Sequence, residues 1–381
     1  MTKLSKLLLP VVFTTALLTN QILAADKCYA LALSSGQENA AYQVGVLKGL
    51  LSKVPSDQMK YQTVTGISGG AVNAAILGQH AQGNETGAVD EMTKFWKAAA
   101  STKLYQNWWG GIVSGLFTAG GIYDNAPLIS FLKTQFINDK QFKRETSVGI
   151  VDVLEGQFET FDSKDLSDNS QLLDVLYASF SFPGFFPPAE VFDSKFFDGS
   201  AVYDIDIFTA INKCLGMGFT EENIIVDVAF TSSANLKEVD AEDYRSIGML
   251  FRYLEISSFY SSMDGLLRAR FSYPKVNFRY AVSPSKSLPS SLYPLNLNAD
   301  QIQQIIDVGF ADAQTAVTSK ASVDHLIHYH YLKSKNDNRI DSMTYGEFVE
   351  AKLNKEYDFD SFDMRVIETD PSYIQYKLKF E

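Results

Sequence analysis

The chain has 381 residues, 46% hydrophobic and 20% charged, enough for one large globular domain with a smaller appendage. Its net charge of −12 disfavours nonspecific nucleic-acid binding through a basic surface and an electrostatic hold on anionic membranes. Two cysteines, Cys28 and Cys214, allow at most one intramolecular disulfide.

Residues 1–25 read as a secretory signal peptide. Lys3 and Lys6 make a positive start, Leu7 to Leu18 is mostly apolar, and Ile22-Leu23-Ala24-Ala25 offers a small-residue cleavage point. The apolar run is short for a membrane-spanning helix and interrupted by Pro10, Thr14 and Thr15, which leaves an uncleaved anchor as the alternative reading. Its removal takes the charge from −12 to −14 and places the protein outside the cell or in an endomembrane lumen. There Cys28 and Cys214 could pair or stay buried as thiols.

Cys28–Leu33 predicts a buried first strand, followed by a polar loop from Ser34 to Asn39. Ala40 to Leu51 predicts a helix, with Ala41, Val44, Leu47, Leu50 and Leu51 at helical spacing. Tyr61–Thr65 is β-branched and aromatic, as a strand requires. Gly66-Ile67-Ser68-Gly69-Gly70 then reads as a sharp strand-to-helix turn, and Ala71 opens a helix. Such a nucleophile elbow needs glycines, here Gly66 and Gly70, because the turn leaves no room beside the serine. The Ser68 hydroxyl would stand at a helix N-terminus, whose partial positive charge favours developing anions. The β–loop–α–β–elbow–α order implies parallel strands with helical crossovers.

Further strands are expected at Val148–Leu154, Val191–Phe197 and Ile224–Ala229. Asp300–Ala316 predicts an amphipathic helix with Ile302, Ile305, Ile306 and Phe310 on its apolar face. The aromatic, glycine-rich stretch from Asn107 to Phe117 is either an interfacial cap or a core crossing. Phe180, Phe182, Phe185 and Phe186 either line an acyl pocket or pack the core.

Several motifs in order resemble the patatin-like phospholipase family. Ala41-Tyr42-Gln43 matches the end of its Gly-rich loop, and Gly66–Ala74 matches its elbow with the following Asn-Ala. Gly121–Leu128 is similar to its Gly-aromatic-Asp-x-x-Pro-Leu segment, and Ala178–Pro188 to its Ala-Ser-x-x-x-Pro-Gly-x-Phe-Pro-Pro segment. Asp198-Gly199 falls where the family carries its catalytic Asp-Gly. The resemblance runs from about residue 27 to 320 and implies an α/β fold, a three-layer α/β/α patatin-like sandwich with a mainly parallel central sheet. Residues 26–320 would form that domain and 321–381 a C-terminal extension.

By the same resemblance, Ser68 is the nucleophile and Asp198 the base of a Ser–Asp dyad, with no cofactor or metal. The expected substrates are phospholipids, galactolipids or neutral lipids, with transient contact at a membrane surface. Backbone amides of Ser35, Gly36 and Gln37 would form the oxyanion hole. The family's Gly-Gly-Gly-x-Arg/Lys-Gly loop reads Ser35-Gly36-Gln37-Glu38-Asn39-Ala40 here, so Gln37 would have to take a backbone shape that favours glycine. That departure leaves a second reading, a catalytically impaired lipid-binding or storage protein on the same fold.

Two other readings of the residues compete. A Ser–Asp/Glu–His triad would draw on His325, His328 or His330. The same His-x-x-His-x-His cluster could bind metal, although packing histidines are the plainer expectation. Asp358, Asp360 and Asp363 lack the glycine of a calcium loop and read as solvated charge. Asp204 and Asp206 share alternate positions of one possible strand face, with no evident partner.

Overall fold

The computed structural model describes residues 27–136, 141–166, 169–236, 245–289, 293–335, 337–340, 342–354 and 364–370. The expected signal peptide and the Asp358–Asp363 acids lie outside them. The strands are β1 (Cys28–Leu33), β2 (Thr63–Ile67), β3 (Gln106–Asn107), β4 (Tyr123–Asp124) and β5 (Glu145–Asp152), then β6 (Phe158–Asp162), β7 (Ala189–Val191), β8 (Ser194–Asp198), β9 (Ile224–Ala229) and β10 (Asn277–Val282). The helices through residue 180 are α1 (Ala41–Lys53), α2 (Gly69–Gln79), α3 (Glu85–Ala100), α4 (Gly111–Phe117), α5 (Ala126–Gln135) and α6 (Asn169–Phe180). Those that follow are α7 (Ile207–Gly216), α8 (Ser246–Ser272), α9 (Ala299–Ser319), α10 (Val323–Ser334), α11 (Tyr345–Leu353) and α12 (Met364–Thr369).

The central sheet runs β10-β9-β1-β2-β5-β8-β7, with β6 also on β5. The five strands from β10 to β5 are mutually parallel, and β6, β7 and β8 add antiparallel pairs. This is the mixed, mainly parallel α/β architecture expected. β1 is buried on both faces, which its unbroken apolar run from Ala30 to Leu33 allows. Thr63 and Thr65, on one face of β2, hydrogen-bond backbone carbonyls of Ala210 and Asp206 at the α7 side. The other face carries α1, α2, α3 and α9. There α1 and α9 cross closely: a Cβ on Gly45 would lie 2.0 Å from the Ile306 carbonyl oxygen.

The chain winds from β1 outward through β2 to β5, then returns to place β9 and β10 on the other side of β1. The order reverses between β1 and β9, and ligands of open α/β sheets bind beside the carboxyl ends of strands at such a point.

Two sequence expectations change, and one open alternative narrows. Val191–Phe197 is not one strand but the β7–β8 hairpin, turned by Phe192 (φ 45°) and Asp193 (φ 67°). Two consecutive positive φ angles usually need Asn-Gly, so Phe-Asp carries no turn signal. Phe310, assigned to the apolar face of α9, is exposed, whereas Ile302, Ile305 and Ile306 are buried. Asn107–Phe117 is not a core crossing: Trp109, Val113 and Phe117 are exposed on and before α4. Cys28 and Cys214 form a disulfide between β1 and α7, with Cα atoms 5.9 Å apart.

Candidate active site

Ser68 is the first residue beyond β2 and the N-cap of α2, at φ 54° and ψ −125°. That left-handed backbone holds the turn tight, at a cost of about 1–3 kcal/mol borne by the surrounding packing. The glycines make the turn possible. A Cβ on Gly66 would meet the Gly70 carbonyl oxygen at 2.2 Å, and one on Gly70 the Ser34 carbonyl oxygen at 2.4 Å. The Ser68 N–H donates to Ser179 Oγ (2.7 Å), fastening the elbow to the end of α6.

The sheet register brings Asp198 to the same place. β2 pairs with Glu145–Gly149 along one edge of β5, and β6 pairs with Ser147–Val151 along the other. Ile150 and Val151 pair with β6 and β8 alike, so β8 takes the edge that β2 vacates. Ile67 faces Gly149 and Asp198 faces Ile150, so the end of β8 meets the end of β2. Gly199 fits against this junction, where a Cβ would lie 2.5 Å from the Gly149 carbonyl oxygen.

Both side chains are buried, Ser68 at 0% and Asp198 at 1% exposure. Burial pushes the Asp198 carboxyl up to about 6, against the opposing effect of the Ser200 N–H, which donates to Oδ1 at 2.9 Å. The Ser68 hydroxyl also favours the ionised carboxylate, and the negative charge of Asp204 opposes it. Ser68 Oγ completes no hydrogen bond of normal geometry with any described residue. A buried hydroxyl beside a carboxylate of raised basicity is an arrangement in which the carboxylate can take the hydroxyl's proton on attack.

The loop after β1 lies over the elbow, with the Gln37 carbonyl oxygen only 2.2 Å from where a Gly69 Cβ would sit. Gly36 (φ 145°) and Gln37 (φ 50°) both have positive φ. A Cβ on Gly36 would lie 2.3 Å from Thr231 Oγ1. No described residue accepts the amide of Gly36 or Gln37. Ser35 differs from the expectation: its N–H donates to the Asp204 carbonyl (2.8 Å) and is spent.

A buried amide chain supports this loop. Trp96 Nε1 donates to Asn73 Oδ1 (2.9 Å), Asn73 Nδ2 to Gln43 Oε1 (2.9 Å), and Gln43 Nε2 to the Ser34 carbonyl (2.7 Å). Gln43 and Asn73 were legible as motif residues, whereas Trp96 carried no signal. Asp204, which the sequence left without a partner, accepts hydroxyls from Ser35 (2.5 Å), Ser258 (2.8 Å) and Ser262. Asp206 caps α7 by accepting the Thr209 N–H (2.9 Å).

Beside the loop lies an aromatic group. Tyr105 packs on Tyr123 (4.8 Å between ring centres) and Phe186 (5.8 Å), and Phe185 packs on Phe251 of α8 (5.7 Å). Glu38 joins the loop to its margin by accepting the Leu295 N–H (2.8 Å). Ile122 and Tyr123 N–H groups donate to the Gly184 and Phe185 carbonyls (3.0 and 2.9 Å), stitching the Gly121–Leu128 and Ala178–Pro188 segments together.

The histidines stand apart from the dyad. His325 caps α10 through Ser322 (2.7 Å), His328 meets the Phe348 ring edge-on at 5.6 Å, and His330 packs against Phe259 at 5.4 Å. Burial holds them below the usual histidine range, at about 4, 3 and 3. Ser68 Oγ makes no hydrogen bond of normal geometry to any described residue, the histidines included, so nothing here supports a histidine triad. Among the described residues no group of three or more His, Cys, Asp or Glu is arranged to hold a metal.

Comparison with known proteins agrees with this architecture. The chain has no match among curated proteins. Among solved structures it is similar to VipD from Legionella pneumophila, at 10% identity and a TM-score of 0.38, over 93% of this chain and 86% of that one. That likeness is too weak to bear on the site. The family model described as patatin-like phospholipase matches residues 31–211, a span that holds the loop, the elbow and Asp198. Residues 31–211 of this chain are a patatin-like phospholipase domain, of a family of lipid acyl hydrolases.

Proposed function

We propose that the protein hydrolyses acyl esters of phospholipids, galactolipids or neutral lipids through an acyl-enzyme on Ser68, with Asp198 as its base. The observation that carries this reading is the junction of β2 and β8, where a buried hydroxyl meets a carboxyl raised to about 6. Ser68 Oγ attacks the ester carbonyl carbon while Asp198 takes its proton. The carbonyl oxygen gains negative charge, and the free amides of Gly36 and Gln37 with the N-terminus of α2 stabilise it. The bond to the alcohol breaks, and Asp198 returns the proton to that oxygen. Water then attacks the acyl-enzyme, losing a proton to Asp198; the bond from the acyl carbon to Ser68 Oγ breaks, Asp198 returns that proton to Ser68 Oγ, and the fatty acid leaves.

The exposed apolar face of α4 supports contact with a lipid surface. No Lys, Arg, Asp or Glu occurs from Leu104 to Tyr123. Trp109 and Phe117 stand in solvent, while Ile122 and Tyr123 fasten the segment's end to the 184–185 backbone. Such aromatic, uncharged surface suits an uncharged or zwitterionic interface. The Cys28–Cys214 disulfide supports secretion into an oxidising compartment, as residues 1–25 also imply. A second reading, lipid binding without turnover, draws on Gln37, whose left-handed backbone departs from an all-glycine loop.

Covalent labelling decides between them. A fluorophosphonate probe is expected to add once to the wild-type protein, by intact mass, not at all to Ser68→Ala and at least tenfold more slowly to Asp198→Asn. Folded wild-type protein that binds lipid vesicles and takes no label would overturn the hydrolase reading in favour of the binding one.

A further inference from the structure

Asp204 follows β8 by six residues and precedes α7, and it is buried. Every polar group of this residue is engaged. Its carboxylate accepts Ser35 Oγ and Ser258 Oγ on Oδ1 and Ser262 Oγ on Oδ2. Its carbonyl accepts the Ser35 N–H (2.8 Å), and its N–H donates to Ser261 Oγ (3.0 Å). Ser35 belongs to the loop whose next two amides are free, while Ser258, Ser261 and Ser262 belong to α8. One buried carboxylate therefore ties the candidate oxyanion loop to the helix that also packs Phe251 on the aromatic group.

The choice of residue type matters. A carboxylate accepts on both oxygens, which lets it receive three hydroxyls from two directions. An amide has one accepting oxygen and one donating nitrogen, so it cannot reproduce both sides. Hydrogen bonds to a buried charge are among the stronger ones, and losing partners leaves the remaining groups costly to bury. The Ser35 carbonyl is fixed as well, by Thr231 Oγ1 (2.5 Å) and Ser34 Oγ (3.0 Å), so the hinge of the loop is held from three sides.

We propose that Asp204 is a positioning residue, which pins the 35–37 loop to α8 and so aims the Gly36 and Gln37 amides at the ester oxygen held over Ser68. This rests on the acyl-hydrolase reading for its catalytic consequence, but not for the tether itself. The residue touches no substrate, so its effect falls on transition-state charge and not on substrate binding.

The test uses the full chain with Asp204→Asn and, as a gentler variant that keeps the charge, Ser35→Ala. Amide hydrogen exchange of residues 34–40 is measured beside kcat and KM on a short soluble ester. Both variants are expected to speed exchange in that loop at least tenfold, with exchange of β1, β2 and α2 unchanged, and to lower kcat about 10- to 100-fold with KM within twofold. Unchanged loop exchange in both would overturn the tether, as would a loss confined to KM. Faster exchange throughout the sheet in Asp204→Asn alone would mark general destabilisation, and Ser35→Ala then decides alone. Wild-type protein with no Ser68-dependent turnover would overturn the acyl-hydrolase reading, and with it the catalytic role of Asp204, while the exchange data still judge the tether.

Discussion

Asp198 is a carboxylate kept out of water beside the Ser68 hydroxyl, and in the proposed role of base that placement has two measurable consequences. A base works only when ionised, so kcat/KM on a soluble ester is expected to fall about tenfold per unit below pH 6 and to level off above it. A profile flat from pH 5 to 8 would contradict Asp198 as the base. The second consequence concerns stability. The folded carboxyl titrates near 6, while an unfolded one titrates at about 3.9. Between those values the native state still holds a proton that the unfolded chain has lost, so this group's contribution to stability falls as pH rises through that window. Asp198→Asn, neutral at every pH, is expected to exceed wild type in stability by up to about 3 kcal/mol at pH 7 and to lose that advantage near pH 4. Urea unfolding at the two pH values reads it directly. At Gly36 the backbone leaves no such latitude. Its φ of 145° and the 2.3 Å between Thr231 Oγ1 and the position of an added methyl mean that Gly36→Ala must shift the loop. Displaced donors cost on the order of 10²–10³ in kcat, so Gly36→Ala is expected to fold and label far more slowly than wild type. Wild-type labelling rates in that variant would remove Gly36 from the oxyanion hole.

At the scale of elements, α4 stands out as a helix whose apolar side chains face solvent. Two large aromatic side chains moved partly out of water contribute about 2 kcal/mol or more to surface binding, a factor of tenfold or more. Trp109→Ser with Phe117→Ser is therefore expected to lower the ratio of activity on zwitterionic vesicles to activity on a soluble ester about tenfold. An unchanged ratio would show that α4 takes no part in meeting the lipid. The exposure of α4 was not legible in the sequence. Gly-rich aromatic runs suit a close-packed crossing as well as a surface cap, and only tertiary neighbours decide. The elbow was legible because a backbone constraint leaves its mark on residue type: Gly66 and Gly70 sit where neighbouring carbonyls leave no space for a Cβ. The β7–β8 hairpin left no such mark, since Phe192 and Asp193 take left-handed conformations that neither residue advertises. α8 was missed for another reason. Its exposed half carries Met249, Leu250 and Tyr253, its other half buries Met263, Leu266 and Ala269, and no single apolar stripe runs its length. Asp204 was seen in the sequence, but its meaning lies in Ser258 and Ser262, over fifty residues away.

Across the whole molecule, the family match ends at residue 211, yet the sheet does not. β9 pairs with β1 along its full length, from Cys28 opposite Ile224 to Leu33 opposite Ala229, and β10 closes on β9. Chain order therefore separates β1 from the strand beside it by nearly two hundred residues, and the disulfide spans a comparable interval. Cys28 and Cys214 are 186 residues apart, so their bond removes a large share of the unfolded chain's freedom and contributes about 3–5 kcal/mol. The bond lies at the start of β1, whereas the candidate site begins just past its end. Six residues of strand put the two roughly 20 Å apart. Stability and catalysis should thus separate. Cys28→Ser with Cys214→Ser is expected to melt several degrees below wild type, with Ser68 labelling at 20 °C unchanged within twofold. Dithiothreitol should bring the wild-type melting temperature down to that of the variant and leave the variant where it was. A wild-type protein indifferent to dithiothreitol would show that the cysteines are not joined in solution. A variant that melts as expected but no longer labels would show that the α7 face and the candidate site are coupled through the sheet, because Thr63 and Thr65 of β2, the strand that leads to Ser68, hydrogen-bond the Ala210 and Asp206 carbonyls at α7.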